Sequence, residues 1–177
     1  VRISPSTLMP NILKSDIDDH RKTSDGKYIQ GCHHTSLILN HKSRNKIIIK
    51  AVCDLRKLED FDSIVCCGTS GLLVVPQIAE LLNKHIVIVR KDEGSYSNFA
   101  VEGVAPFRYV IIDDLICSGS TIRRIKGTIK EEYPRARCLG IYCYLTEESG
   151  YAATIEGSKL CEKDLGSPLL NLCDKRT

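Results

Sequence analysis

Along the middle of the chain, short β-branched runs alternate with glycine-bearing loops and helical periodicity. Residues 63–67 read as a buried strand, and Gly68-Thr69-Ser70-Gly71 as the loop after it. Residues 72–83 read as a helix that turns Leu72, Val75, Ile78, Ala79 and Leu82 to the core. Pro76 interrupts that helix unless its regular turns begin near Val75. Residues 85–89 give the next strand, whose unbroken Ile and Val fit a parallel sheet covered on both faces.

Residues 91–107 break the pattern, with Gly94, Ser95, Ser97, Asn98, Gly103 and Pro106. They read as a long mobile loop with a short edge ribbon near Phe99-Ala100-Val101, and loops of this length are often lids. Residues 109–112 form a third core strand that ends in two carboxylates. Beyond it, Ile122, Ile125 and Ile129 recur at helical spacing, while Arg124, Lys126, Lys130, Glu131 and Glu132 face outward. Pro134 ends this helix, and residues 137–144 supply a fourth strand. Strand–helix alternation of this kind calls for an α/β, Rossmann-like, mostly parallel sheet with helices on both faces.

The flanks carry less pattern. Residues 1–45 mix polar clusters with weak hydrophobicity, and residues 46–52 read as a further strand or the start of a buried helix. Past Thr146 come Gly150, Gly157 and Gly166, then the apolar patch Pro168-Leu169-Leu170-Asn171-Leu172. Neither flank can bury a core alone, so together they are expected to cover the open end of the sheet.

Length and composition narrow the class. The 177 residues suit one domain, and 42% apolar content suits an ordered globular chain. Lys and Arg (25) exceed Asp and Glu (22) by only three and are interspersed with them, so no basic stripe favours nucleic acid. No apolar run approaches the roughly 20 residues a membrane helix needs. The opening Val1-Arg2-Ile3-Ser4-Pro5 carries no signal-peptide pattern. Nine irregularly spaced Cys, several in apolar runs, read as small buried hydrophobes in a reducing, cytoplasmic setting. Cys32-His33-His34 has no second half at zinc-site spacing.

Three segments could carry chemistry. In the first, Asp113-Asp114-Leu115-Ile116-Cys117-Ser118-Gly119-Ser120-Thr121, adjacent carboxylates at a buried strand end oppose each other unless they face cations, water or hydroxyls. The small hydroxyl-rich residues that follow lead into a helix N-terminus, which suits a phosphate monoester. A ligand with sugar hydroxyls at one end and phosphate at the other matches both halves. An Asp-rich turn with a Ser or Thr cap is the plain alternative. The second segment, Cys67-Gly68-Thr69-Ser70-Gly71, is again strand, small-residue loop and helix. It is neither a Walker loop nor a dinucleotide fingerprint, and alone it is equally a tight turn. Its weight comes from repetition at one end of the sheet, where open α/β sheets bind ligands. The third is Arg90-Lys91, either a solvated basic pair or a further anion contact.

Together the three segments resemble the type I phosphoribosyltransferase family, over roughly residues 60–145. Residues 110–122 are similar to its motif for phosphoribosyl diphosphate (PRPP). The resemblance implies that Asp113 and Asp114 meet the ribose hydroxyls and, through water, Mg²⁺. It implies that Cys117, Ser118, Gly119, Ser120 and Thr121 hold the 5-phosphate. Thr69, Ser70 and Gly71 would contact pyrophosphate, in a loop where many members carry a cis peptide. Arg90 and Lys91 would add cations at the base of a flexible lid, as in the orotate and adenine enzymes. Residues 1–177 would then be one phosphoribosyltransferase domain. Its core would span about 46–145, and a base-recognising hood would come from about 1–45 and 146–177. Homodimers are common in the family. Cys117 stands where the hypoxanthine–guanine enzymes carry Asp, and residues 92–98 lack the further basic residues usual in orotate lids.

The expected activity is transfer of ribose 5-phosphate from PRPP to a nucleobase ring nitrogen, releasing pyrophosphate, with Asp113, Asp114 and Lys91 catalytic and the base unassigned. A regulatory or structural PRPP-binding protein without transfer chemistry is one alternative. An unrelated Mg²⁺-dependent α/β phosphatase or kinase is another.

Overall fold

The computed structural model describes residues 38–58, 60–91, 99–116, 118–145 and 165–170. Asn40 opens a helix, α1 (His41–Leu55): its side chain accepts from the Lys42 and Ser43 amides at 3.0 and 3.2 Å. The segment 46–52 is therefore helical. Its Ile47-Ile48-Ile49 run suits either structure, but burial of Ile48, Ala51, Val52 and Leu55 follows the helical period.

β1 (Ser63–Cys66) is buried along its whole length and leads into a one-turn helix, α2 (Gly68–Leu72), where a loop was expected. The chain then breaks at Leu73–Val74 and restarts as α3 (Val75–Leu82), with Pro at its first turn, where a missing N–H costs nothing. This break corrects one expectation. Val75, Ile78 and Ala79 do face the core, but Leu72 is 41% exposed, because it belongs to a separate short helix and Val74 takes the buried place. Asn83, left-handed at φ 53°, ends α3.

β2 (His85–Val89) pairs in parallel with β1. The edge ribbon is β3 (Val101–Gly103), antiparallel to β2 and slightly later than its apolar residues suggested. β4 (Arg108–Asp113), α4 (Ser120–Glu132) and β5 (Arg137–Cys143) follow. The sheet order is β3-β2-β1-β4-β5, parallel apart from β3. β2 is less enclosed than its sequence suggests: Val87 and Val89 are buried, but Ile86 and Ile88 only half so.

Side chains alternate between two cores, as the strand period requires. On one face Ile64, Cys66, Val110, Ile112 and Tyr142 meet α1 and α3. On the other, Val65, Val87, Ile111 and Ile141 meet Ile122, Ile125 and Ile129 of α4. Burial of Cys66, Cys67 and Cys143 agrees with cysteine as a small apolar residue. Part of the C-terminal apolar patch also docks. Leu169 is buried and bridges Ile141 in parallel, beyond the last strand. Lys126 Nζ holds the turn before it, donating to the carbonyls of Leu165 (2.7 Å) and Gly166 (2.9 Å) and to Ser167 Oγ (2.8 Å).

Strand order reverses at β1 and β4. The connection from β1 crosses one face through α2 and α3, and that from β4 crosses the other through α4. The carboxyl ends of these neighbouring strands therefore open a crevice, the usual ligand position of an open α/β sheet. Most of the hood residues, residues 92–98 of the lid and Cys117 lie outside the described residues.

Candidate active site

β4 delivers Asp113 to the crevice at 5% exposure. Its Oδ1 accepts from the Asp114 amide at 3.0 Å, and Asp114 Oδ1 accepts from the Leu115 amide at 2.8 Å. The main-chain carbonyls of the pair accept from the Tyr144 and Leu145 amides at 3.1 and 3.0 Å, so the end of β5 fixes the strand from which both acids project. Burial, then the neighbouring Asp114 carboxylate, pushes the Asp113 carboxyl up to about 8, against the pull of the Asp114 amide and of Lys91. A buried acid poised this way is where a cation would be welcomed.

The turn after the acids is set by Gly119, left-handed at φ 72° and buried, where a β-carbon would be strained. Ser118 Oγ accepts from the Ser120 amide at 3.3 Å and lies 3.0 Å from Ser120 Oγ. Gly119 has no side chain to cap α4, so apart from the Ser120 amide, which Ser118 Oγ engages, its first-turn amides keep their capacity for an anion. Across the crevice, the Lys91 side chain passes over Gly68: a β-carbon at Gly68 would stand 3.0 Å from Lys91 Cε.

These elements line an open cavity of about 290 Å³, which Ser70, Lys91, Asp113 and Asp114 share with the turn 118–121. Eight of the residues expected at the site thus meet: Ser70, Lys91, Asp113, Asp114, Ser118, Gly119, Ser120 and Thr121. Three do not line it. Thr69 is exposed on the first turn of α2. Gly71 is buried against β1, where a β-carbon would lie 2.5 Å from Cys66 Cβ. Arg90 forms an ion pair with Glu102 of β3 and lines a neighbouring cavity. Among the described residues no peptide bond is cis, and no group of three or more His, Cys, Asp or Glu is placed to hold a metal.

Two residues beside the site were missed in the sequence. Tyr144 is buried after β5, and its hydroxyl donates to the Ser70 carbonyl at 3.1 Å, tying the two loops together. Arg124 is exposed, as its helical spacing predicts, and its guanidinium also reaches back to the Lys91 carbonyl. Helical periodicity assigns a face, and an exposed face next to a loop gives no sign of such a return.

A sheet of this order, with two small-residue loops meeting where it reverses, is an open α/β sheet, and solved structures of the type I phosphoribosyltransferase fold share it. No family model matches the chain. Solved structures do. The orotate phosphoribosyltransferase of Mycobacterium tuberculosis H37Rv, in complex with PRPP, is similar at a TM-score of 0.56 and 13% identity, covering 83% of this chain and 82% of that one. The adenine phosphoribosyltransferase of Saccharomyces cerevisiae is similar at 0.51 and 19% identity, covering 76% and 80%. Leishmania donovani UMP synthase is similar at 0.52 and 21% identity over 69% of this chain, which spans only 26% of that protein. At these identities the likeness establishes the fold.

Proposed function

We propose that this chain binds PRPP in the cavity of Asp113 and the turn 118–121 and transfers its ribose 5-phosphate to a nucleobase nitrogen, releasing pyrophosphate. One observation carries the reading: an acidic pair, a hydroxyl-rich helix N-terminus and Lys91 share a single cavity of about 290 Å³. Phosphate monoester, ribose hydroxyls and diphosphate are the three groups those elements suit.

The 5-phosphate sits on the amides and hydroxyls of residues 118–121, with Cys117 in the same loop. Asp113 and Asp114 accept from the ribose hydroxyls and place negative charge near C1 as it gains oxocarbenium character. Lys91, above Gly68, meets the diphosphate as charge builds on the leaving oxygen. Ser70 borders that end of the cavity, and Arg90, in the neighbouring cavity, is an outer cation. The acid pair also fits Mg²⁺. Two carboxylates without a protein-only cage suit an ion that completes its shell with water and substrate phosphates, and bound there it would neutralise the diphosphate. Residues 92–98 would exclude water, since hydrolysis of PRPP competes with transfer. The flanks would form the hood, and a homodimer in the cytoplasm is the expected setting.

The test is pyrophosphate release from PRPP and Mg²⁺ with adenine, hypoxanthine, guanine, xanthine, uracil and orotate in turn. Release dependent on one base supports transfer and names the acceptor. Calorimetric binding of PRPP without release under any base points to a regulatory PRPP-binding protein, and no binding at all removes the reading.

A further inference from the structure

From the way α4 grips the end of β2, we infer that Arg124 is a positioning residue that sets Lys91 through its main chain. The inference rests on the reading above that Lys91 meets the diphosphate.

Lys91 comes two residues after the end of β2, so the strand ladder itself does not fix its carbonyl. A guanidinium N–H of Arg124, on the second turn of α4, donates to that carbonyl oxygen. The side chain of Lys91 lies close over Gly68, where a β-carbon would meet its Cε at 3.0 Å and its Nζ at 3.2 Å. Arg124 thus constrains Lys91 at its main chain, while the Lys91 side chain lies along Gly68. It also walls both the cavity of the acid pair and a second one of about 250 Å³, lined with Cys67, Ser120, Thr121 and Arg124.

The helix that supplies Arg124 is a firm base, since Ile122, Ile125 and Ile129 are at most 1% exposed. Its preceding residue, Arg123, donates to the Ser118 carbonyl. One turn of α4 therefore ties down both the phosphate turn and the Lys91 main chain. A displacement of α4 would carry both with it, which keeps Lys91 in register with the 5-phosphate. Arginine suits the task because its planar fork reaches across a gap with little loss of alignment.

A double-mutant cycle on the full chain tests this, with kcat and KM for PRPP measured for Arg124→Ala, Lys91→Ala and the pair. If Arg124 acts through Lys91, Arg124→Ala lowers kcat about tenfold with KM changed less than about threefold. In the Lys91→Ala background it then adds no further loss. Arg124→Lys, which keeps a donor, restores part of kcat, and melting curves show which variants are folded. Additive losses, or a higher KM at unchanged kcat, overturn the inference and leave Arg124 as a surface charge. If the parent protein does not turn over PRPP, the transfer reading fails and the contact is judged without kinetics. The probe is then hydrogen exchange at the Arg90 amide, which donates to the Ala100 carbonyl at 3.0 Å beside the anchored residue. Faster exchange by about tenfold in Arg124→Ala supports positioning, and unchanged exchange overturns it.

Discussion

The loops after β1 and β4 leave neighbouring parallel strands at the same end of the sheet, and both are built of small residues. They use those residues differently. After β4, Asp113, Asp114, Ser118 and Ser120 present side chains to the cavity, and Gly119 is there to turn the backbone. After β1, only Ser70 reaches that cavity; Gly71 lets α2 press against Cys66, and Gly68 makes room for Lys91. One loop supplies chemical groups while the other supplies space. A glycine-rich signature alone cannot tell these apart, because the distinction depends on what lies opposite each absent β-carbon.

The largest effect is expected at the acids. Asp113→Asn with Asp114→Asn is expected to lower pyrophosphate release from PRPP by about a thousandfold or more. The fold should remain, since the backbone bonds that fix the pair come from Tyr144 and Leu145 amides to main-chain carbonyls. Near-parental turnover in a folded double variant would show that the β4 loop is not the chemical one.

Asp113 also makes the two loops differ in pH response. Burial, with Asp114 beside it, raises its carboxyl from 3.8 to about 8. A raised value means that the folded state holds the proton more tightly than the unfolded chain. The resulting stability is complete below about pH 4 and is lost as pH rises through 8. Asp62, at the far end of β1, runs the other way. Burial works against its charge, but the Ser63 hydroxyl and the Arg108 and Phe107 amides outweigh it, so its contribution is lost only as pH falls through the acid range. On the β1 loop side, Cys66 is pushed up to about 12 by burial first and stays neutral. Urea midpoints of the ligand-free protein should therefore fall between pH 5 and pH 8, and Asp113→Asn should flatten that decline. An equal slope in the variant would assign the decline to other groups.

Which features were legible in the sequence follows from the same physics. The three isoleucines of α4 stood at helical spacing and all are buried, because a repeated period survives any tertiary detail. The acid pair and its hydroxyl-rich turn stood out because their chemistry is contiguous in the chain. The split of 68–82 into α2 and α3 was half visible: Pro76 marked the restart, but Leu72 looked like part of the same apolar stripe. Thr69 and Gly71 belong to the right loop and still do not line the cavity, since proximity in sequence does not set direction. Contacts of long reach were hidden altogether. Arg124 meets Lys91, 33 positions away, and Tyr144 meets Ser70, 74 positions away; no local pattern encodes either pair.

Space in the β1 loop is tested by Gly71→Ala. Its β-carbon would lie 2.5 Å from Cys66 Cβ, and neither α2 nor the buried strand can yield at little cost. A loss of about 1–3 kcal/mol is expected from urea denaturation, as for other overpacked sites. Turnover per folded molecule should fall far less than with the acid variants, because Gly71 does not line the cavity. A stable but inactive Gly71→Ala would assign the β1 loop a direct chemical part after all.

The smallest expected change separates conformation from space in the β4 loop. Gly119 is held at φ 72° and ψ 6°, the left-handed region. There an alanine costs roughly 1–2 kcal/mol in backbone strain alone, whereas asparagine enters the region more readily. If the turn needs only the dihedral, Gly119→Asn should lie closer to the parent than Gly119→Ala in urea denaturation, despite its larger side chain. If the turn needs an absent β-carbon so that its amides can close on the phosphate, both variants should raise the KM for PRPP, and Asn the more. Stability and KM then rank the two substitutions in opposite orders, which strain alone cannot produce. The same ranking in both measurements would reduce Gly119 to a turn former and leave phosphate contact to the rest of the loop.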